Sequence, residues 1–128
     1  MREPEVETDR VAHSVIGAAI EVHRALGPGF LESVYEAAID VELSARGIPF
    51  QRQMLVPLVY KGRHIADHRL DLVVASRVVV ELKAVESVAP IHMAQVISYL
   101  AAAQLSVGLL INFRVPLLKH GIHRIVRS

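Results

Sequence analysis

The chain contains no cysteine and no tryptophan among its 128 residues, and only 5% of them are aromatic. Without cysteine there is no disulfide framework, no thiolate metal site and no cysteine nucleophile. An intracellular, cytoplasmic setting is the expectation that follows. Proline and glycine are sparse, with 6 and 7 residues, and no Pro/Gly-rich linker divides the sequence. No apolar run is long enough to span a bilayer: the stretch from Val88 to Phe113 is broken by His92, Gln95, Ser98, Gln104 and Ser106. The opening residues carry acids where a secretory signal would be apolar, so no signal peptide is expected. An excess of either charge is also missing, the net charge being +1.

What is present fits one globular domain. Hydrophobic residues make up 52% and charged residues 21%, which excludes a disordered chain. So much apolar content in so small a chain also gives a reason to expect a homodimer. The near-zero net charge hides a segregation. Residues 1–9 hold four acids and one base, and residues 10–128 hold 13 bases and 9 acids. The boundaries expected are therefore an acidic lead at 1–9 and one domain at 10–128.

Apolar spacing predicts a helix over 9–26 through Val11, Val15, Ala19 and Val22, with Thr8 or Asp9 as its cap. Gly27-Pro28-Gly29 makes a sharp turn. A second helix follows to about Arg46, with Leu31, Val34, Tyr35, Ala38 and Val41 or Glu42 on one side. The period then changes to that of strands: 50–60, with Pro57 marking an edge or a bend, then 64–75 and 77–84. A helix at 90–103, a buried strand at 106–112 and a short strand at 122–126 complete the order α-α-β-β-β-α-β-β. That order predicts an α/β (α+β) domain with a mixed sheet flanked by helices.

The chemistry-bearing residues lie in the second and third strands. Glu81 and Lys83 alternate to the same face of one strand, about 7 Å apart along the backbone. A hairpin centred on Ser76 would set Asp71 opposite Glu81. Two carboxylates and an ammonium in such apolar strands are unfavourable unless compensated. A divalent cation such as Mg²⁺ or Mn²⁺, which takes carboxylate, carbonyl, water and phosphate oxygens, would do so, and the backbone carbonyl of Leu82 is a further candidate ligand. The plain alternative is a solvated Glu81–Lys83 salt bridge with Asp71 beside it. Glu32 opens the second helix, where an acid favours the helix dipole or supplies a third ligand. Gln95 and Tyr99 share a helix face, as a polar edge or as groups lining a site. His92 falls on that face too, whereas strand alternation sends His68 to the side opposite Asp71.

An Asp, then Glu-x-Lys ten residues later, then Gln-x-x-x-Tyr on the next helix resembles the PD-(D/E)XK nuclease superfamily. More closely, Gly29, Glu32 and Tyr35 match the name motif of the small GxxExxY proteins. The segments 16–29, Glu81-Leu-Lys-Ala-Val-Glu86 and Leu110-Ile-Asn-Phe113 are similar to that family as well. The resemblance covers about residues 10–126. It implies a restriction-endonuclease-like core and metal-dependent hydrolysis of phosphodiester bonds, in DNA rather than RNA. By the same resemblance Asp71, Glu81 and Glu32 serve Mg²⁺ or Mn²⁺, and Lys83 serves the attacking water. Gln95, Tyr99 and Tyr35 fall at substrate-side positions. Two departures stand out: Leu70 replaces the proline before Asp71, and Glu32 occupies a position where RecB-type members often carry histidine. The competing expectation is a nuclease-fold module that binds nucleic acid or a protein without cutting. Arg24, Arg114, Lys119 and Arg124 are the candidates for holding a phosphate backbone.

Overall fold

A computed structural model describes residues 5–127. Three helices, α1 (Val6–Leu26), α2 (Glu32–Ala45) and α3 (Pro90–Ala103), flank one five-stranded sheet. Its strands are β1 (Phe50–Tyr60), β2 (Arg63–Val74), β3 (Val78–Lys83), β4 (Val107–Asn112) and β5 (Ile122–Val126), in spatial order β1-β2-β3-β4-β5. A 3-10 turn at Leu118–Gly121 leads into β5. The pairs β1/β2, β2/β3 and β4/β5 are antiparallel, and β3/β4 is parallel across the α3 crossover. This is the mixed sheet and element order expected of a restriction-endonuclease-like core.

The two central strands are buried on both faces, which is why Val78-Val-Val and Val107-Gly-Leu-Leu-Ile read as continuous apolar runs. On one face α1 and α2 cover Leu72, Val74, Val80, Leu82, Leu109 and Ile111. On the other, α3 covers Leu70, Val73, Val79 and Leu110. Gly108 lets α3 approach: a β-carbon there would lie 2.8 Å from Val96 Cγ1. Among the described residues no helix is long and apolar enough to cross a membrane.

Several sequence expectations need correction. Helix α1 starts at Val6, inside the acidic lead, and neither Thr8 nor Asp9 caps it. Thr8 is buried within the helix instead. Asp9 pairs with Arg124, and Glu5 pairs with Arg77 at 3.0 Å. The buried stripe of α2 is Tyr35, Ile39 and Leu43, with Glu36 beside it, whereas Leu31, Val34 and Val41 are exposed. Apolar residues lie all round this helix, so spacing alone does not select the face.

The largest local departure is in β2. Strict alternation would put Leu70 with Leu72 and Val74, yet Leu70 packs beneath α3 while Leu72 and Val74 face α1 and α2. The switch falls at Asp71. Across from it, Gln53 of β1 has a positive φ of 53° and drops out of the pairing between Arg52↔Leu72 and Met54↔Leu70. The strand rolls over at that irregularity and carries His68 to the α3 side together with Leu70.

Candidate active site

The β2/β3 ladder runs from Val74↔Val78 to Leu72↔Val80. Its next rung would set Asp71 opposite Glu81, as the hairpin centred on Ser76 predicts. There the two side chains take over from the backbone. The Leu82 N–H donates to Asp71 Oδ2 at 2.9 Å, and the Asp71 N–H donates to Glu81 Oε1 at a long 3.4 Å. The carboxylates are thus held face to face where the strands part.

Glu81 is 7% exposed. Burial, followed by the neighbouring Asp71 charge, pushes its carboxyl up from 4.5 to about 9. Lys83 opposes the shift but only weakly, and it forms no ion pair with Asp71 or Glu81 among the described residues. The solvated Glu81–Lys83 bridge is therefore not what the fold builds. Glu32 is raised as well, first by burial and then by Asp71, with Lys83 pulling the other way. The Tyr99 hydroxyl is raised by burial and then by Glu81 and Asp71. All these shifts have one origin: acids gathered in a poorly hydrated place.

The gathering forms a pocket of about 200 Å³, lined by Glu32, His68, Arg69, Asp71, Glu81, Lys83, His92, Gln95 and Tyr99 over a floor of Val96 and Leu110. Glu32 comes from the first turn of α2. The preceding turn is fastened by Tyr35, whose hydroxyl donates to the Gly27 carbonyl and accepts from the Phe30 N–H at 3.1 Å. Gln95 and Tyr99 come from α3. His92 lies in the same lining, and its Nδ1 accepts from the Ala89 N–H at 3.0 Å, closing the start of α3. Six of the sequence candidates, Glu32, Asp71, Glu81, Lys83, Gln95 and Tyr99, therefore meet in one pocket.

Two candidates stand apart. Tyr35 is fully buried, stacked on Phe113 at 4.3 Å, so it packs the turn rather than lining the pocket. Leu82 contributes its backbone N–H, and its side chain faces the α1/α2 core. Glu32, Asp71 and Glu81 do not make a ready-made triad: among the described residues no three His, Asp or Glu side chains are grouped as a metal centre. Asp71 and Glu81 form the pair, and Glu32 is a third wall of the same pocket. That donor set fits a hard divalent cation, which commonly takes one or two carboxylates and completes its shell with water and phosphate oxygens.

Sequence reasoning missed three contributors. His68 stacks on Tyr99 with ring centres 3.9 Å apart, in place of facing away. No sequence signal announces this, because it depends on the roll of β2. Arg69 joins the lining beside it. Asn112 is 2% exposed and satisfies both backbone groups of one residue, accepting from the Val85 N–H at 3.0 Å and donating to the Val85 carbonyl at 2.9 Å. It fixes the chain just after Lys83. Its signal was a polar amide ending an apolar strand.

Two of the cations suggested for a phosphate backbone already have acid partners, Arg24 with Glu21 and Arg124 with Asp9. Arg114 and Lys119 have none among the described residues.

A family model described as the PD-(D/E)XK nuclease superfamily matches residues 9–125. Members of that superfamily generally use divalent metal ions. Comparison with curated proteins and with solved structures returned no match.

Proposed function

Because the chain belongs to the PD-(D/E)XK nuclease superfamily, we propose that it is a Mg²⁺- or Mn²⁺-dependent nuclease that hydrolyses phosphodiester bonds in DNA. The observation that carries this reading is the buried Asp71–Glu81 pair, with Glu81 pushed up to about 9 and no cation of the chain paired to it among the described residues. Gly29, Glu32 and Tyr35 support placing it with the GxxExxY proteins, and residues 10–128 are taken as one catalytic domain.

Asp71 and Glu81 would hold the ion, with the Leu82 carbonyl and Glu32 as candidates for further oxygen donors. When bound, the ion supplies charge neutralisation at the phosphate and eases ionisation of water. Lys83 orients the attacking water and faces the charge that builds on the phosphate oxygens. Gln95 and Tyr99 hydrogen-bond the substrate from the α3 side. Asn112 keeps Lys83 in place through its two bonds to the Val85 backbone.

The test is cleavage of DNA with Mn²⁺ by the wild type, Asp71→Ala and Lys83→Ala. Cleavage by the wild type alone is the expected result. Equal cleavage by all three, or by none, would remove the support for this site. A second reading, a module that binds nucleic acid without cutting, draws on the lack, among the described residues, of three His, Asp or Glu side chains grouped to hold a metal. Titration calorimetry with Mn²⁺ separates the two: DNA binding without metal binding or cleavage is the outcome that favours the module.

A further inference from the structure

Beyond Met54↔Leu70 the β1/β2 hairpin leaves the sheet. β3 pairs with β2 only as far as Leu72↔Val80, while β1 and β2 stay paired with each other to Tyr60↔Arg63. The six residue steps from Met54 to Tyr60 make about 20 Å of two-stranded ribbon at about 3.4 Å per residue. Its base is held by Met54, Val56 and Leu70 under α3 and by the His68–Tyr99 stack. Its outer part is bare: every residue from Val59 to Asp67 is exposed.

The cations of this ribbon differ from most arginines of the fold, although Arg114 and Lys119 also lack an acid partner among the described residues. Arg10, Arg24, Arg46, Arg52, Arg77 and Arg124 all pair with acids. Lys61, Arg63 and Arg69 pair with none among the described residues. The one acid of the outer ribbon, Asp67, is bound to His64 at 2.8 Å. The ribbon also starts at the pocket, since His68 and Arg69 belong to its lining.

We infer that the β1/β2 hairpin is an arm that enters the major groove of duplex DNA and delivers the backbone to the pocket. The inference rests on the nuclease reading and narrows its substrate to B-form duplex. The major groove of B-DNA is about 12 Å wide and admits a two-stranded ribbon, whereas that of A-form RNA is too narrow for protein to read. Lys61 and Arg63 at the tip meet phosphates, and Arg69 meets the backbone near the pocket. Val59, Tyr60 and Ile65, all more than 60% exposed, supply apolar contact of the kind thymine methyl groups accept. A second copy of the chain fits the arm less well. Pro57, the irregularity at Leu58/Val59 and the like charges at the tip all oppose pairing along the β1 edge.

The experiment uses the full chain with Asp71→Asn in every protein to prevent cleavage. Binding to duplex DNA is followed by fluorescence anisotropy across a salt series, with and without the double substitution Lys61→Ala/Arg63→Ala. Two lost phosphate contacts lower the slope of log K against log salt by about 2, and the charge-preserving exchange Lys61→Arg/Arg63→Lys restores it. With Asp71 intact, turnover of bis(p-nitrophenyl) phosphate is unchanged by the alanine pair, because that substrate does not reach the arm. An unchanged slope overturns the arm. Equal binding and equal weakening on duplex RNA overturns the groove assignment. A change in sedimentation mass on substitution assigns the hairpin to self-association and overturns the arm as well. If the unsubstituted protein neither binds nor cleaves DNA, the nuclease reading itself fails and the arm falls with it.

Discussion

Two glutamates of this fold are buried to nearly the same degree, Glu36 at 9% and Glu81 at 7% exposure, and they live opposite lives. Glu36, on α2, accepts from Arg52 Nε at 3.1 Å and from Gln53 Nε2 at 3.0 Å, and Arg52 also reaches Asp40. Its charge is answered from within the chain. Glu81, on β3, accepts one long bond from the Asp71 N–H and faces a second carboxylate. A buried acid answered by a guanidinium ties two elements together. One that faces another acid has no cation partner among the described residues, and strongly perturbed acids of this kind are where function concentrates.

The largest effects should separate the two regions by activity. Asp71→Asn and Lys83→Ala are expected to lower Mn²⁺-dependent cleavage by about a thousandfold, the upper range for removing one charge-stabilising group, with thermal melting showing the fold intact. Glu36→Ala should leave turnover per folded molecule within about tenfold and lower stability by about 1–3 kcal/mol, because it strips a charged partner from Arg52 and Gln53. Equal loss of turnover in both regions would break the distinction.

The pH response should separate them next. Glu81 binds its proton more tightly folded than unfolded. Its contribution to stability is therefore fully present below about 4.5 and is lost as pH rises through about 9. The metal-free protein should lose melting temperature across that window, and Glu81→Gln should remove most of the loss. Added Mg²⁺ should oppose it by binding the ionised form, with affinity rising as pH rises. A metal-free melting temperature that is flat from pH 5 to 9 and unaltered by Glu81→Gln would show that Glu81 is not held in this way. At pH 8 Glu81→Gln is expected to stabilise and Glu36→Gln to destabilise, so two substitutions of the same type give opposite signs.

How far the sequence foretells these regions depends on how local the determinant is. The bounds of β1, α3 and β5 follow from Pro90, Lys61-Gly62 and the change of apolar period, all local features. The meeting of Asp71 with Glu81 follows from a tight hairpin, which is nearly local. The buried face of α2 does not, because Leu31, Val34 and Val41 compete with Tyr35, Ile39 and Leu43 and only tertiary contact decides. His68 is the sharpest case. Its side of the sheet depends on an irregularity in a different strand, at Gln53, which nothing in the run His-Arg-Leu-Asp reveals. The closure of Glu36 by Arg52 and Gln53 is equally non-local.

Gln53 joins the two regions, since its amide reaches Glu36 while its backbone sets the roll of β2 at Asp71. Its φ of 53° lies in the left-handed region, which a non-glycine residue adopts at a cost of about 1–2 kcal/mol. Gln53→Gly relieves that strain and removes a hydrogen bond to a charged, buried carboxylate, a loss of about 1.5–3 kcal/mol. Arg52 still holds Glu36, so the effects largely offset, to a net loss of at most about 2 kcal/mol, and the melting temperature should move by less than about 10 °C. Because glycine keeps the backbone conformation, Asp71 stays opposite Glu81 and cleavage should persist. A destabilisation clearly above about 2 kcal/mol would make Gln53, and not Arg52, the main partner of Glu36. A collapse of cleavage with the fold retained would mean that the Gln53 side chain itself, beyond its backbone, positions Asp71.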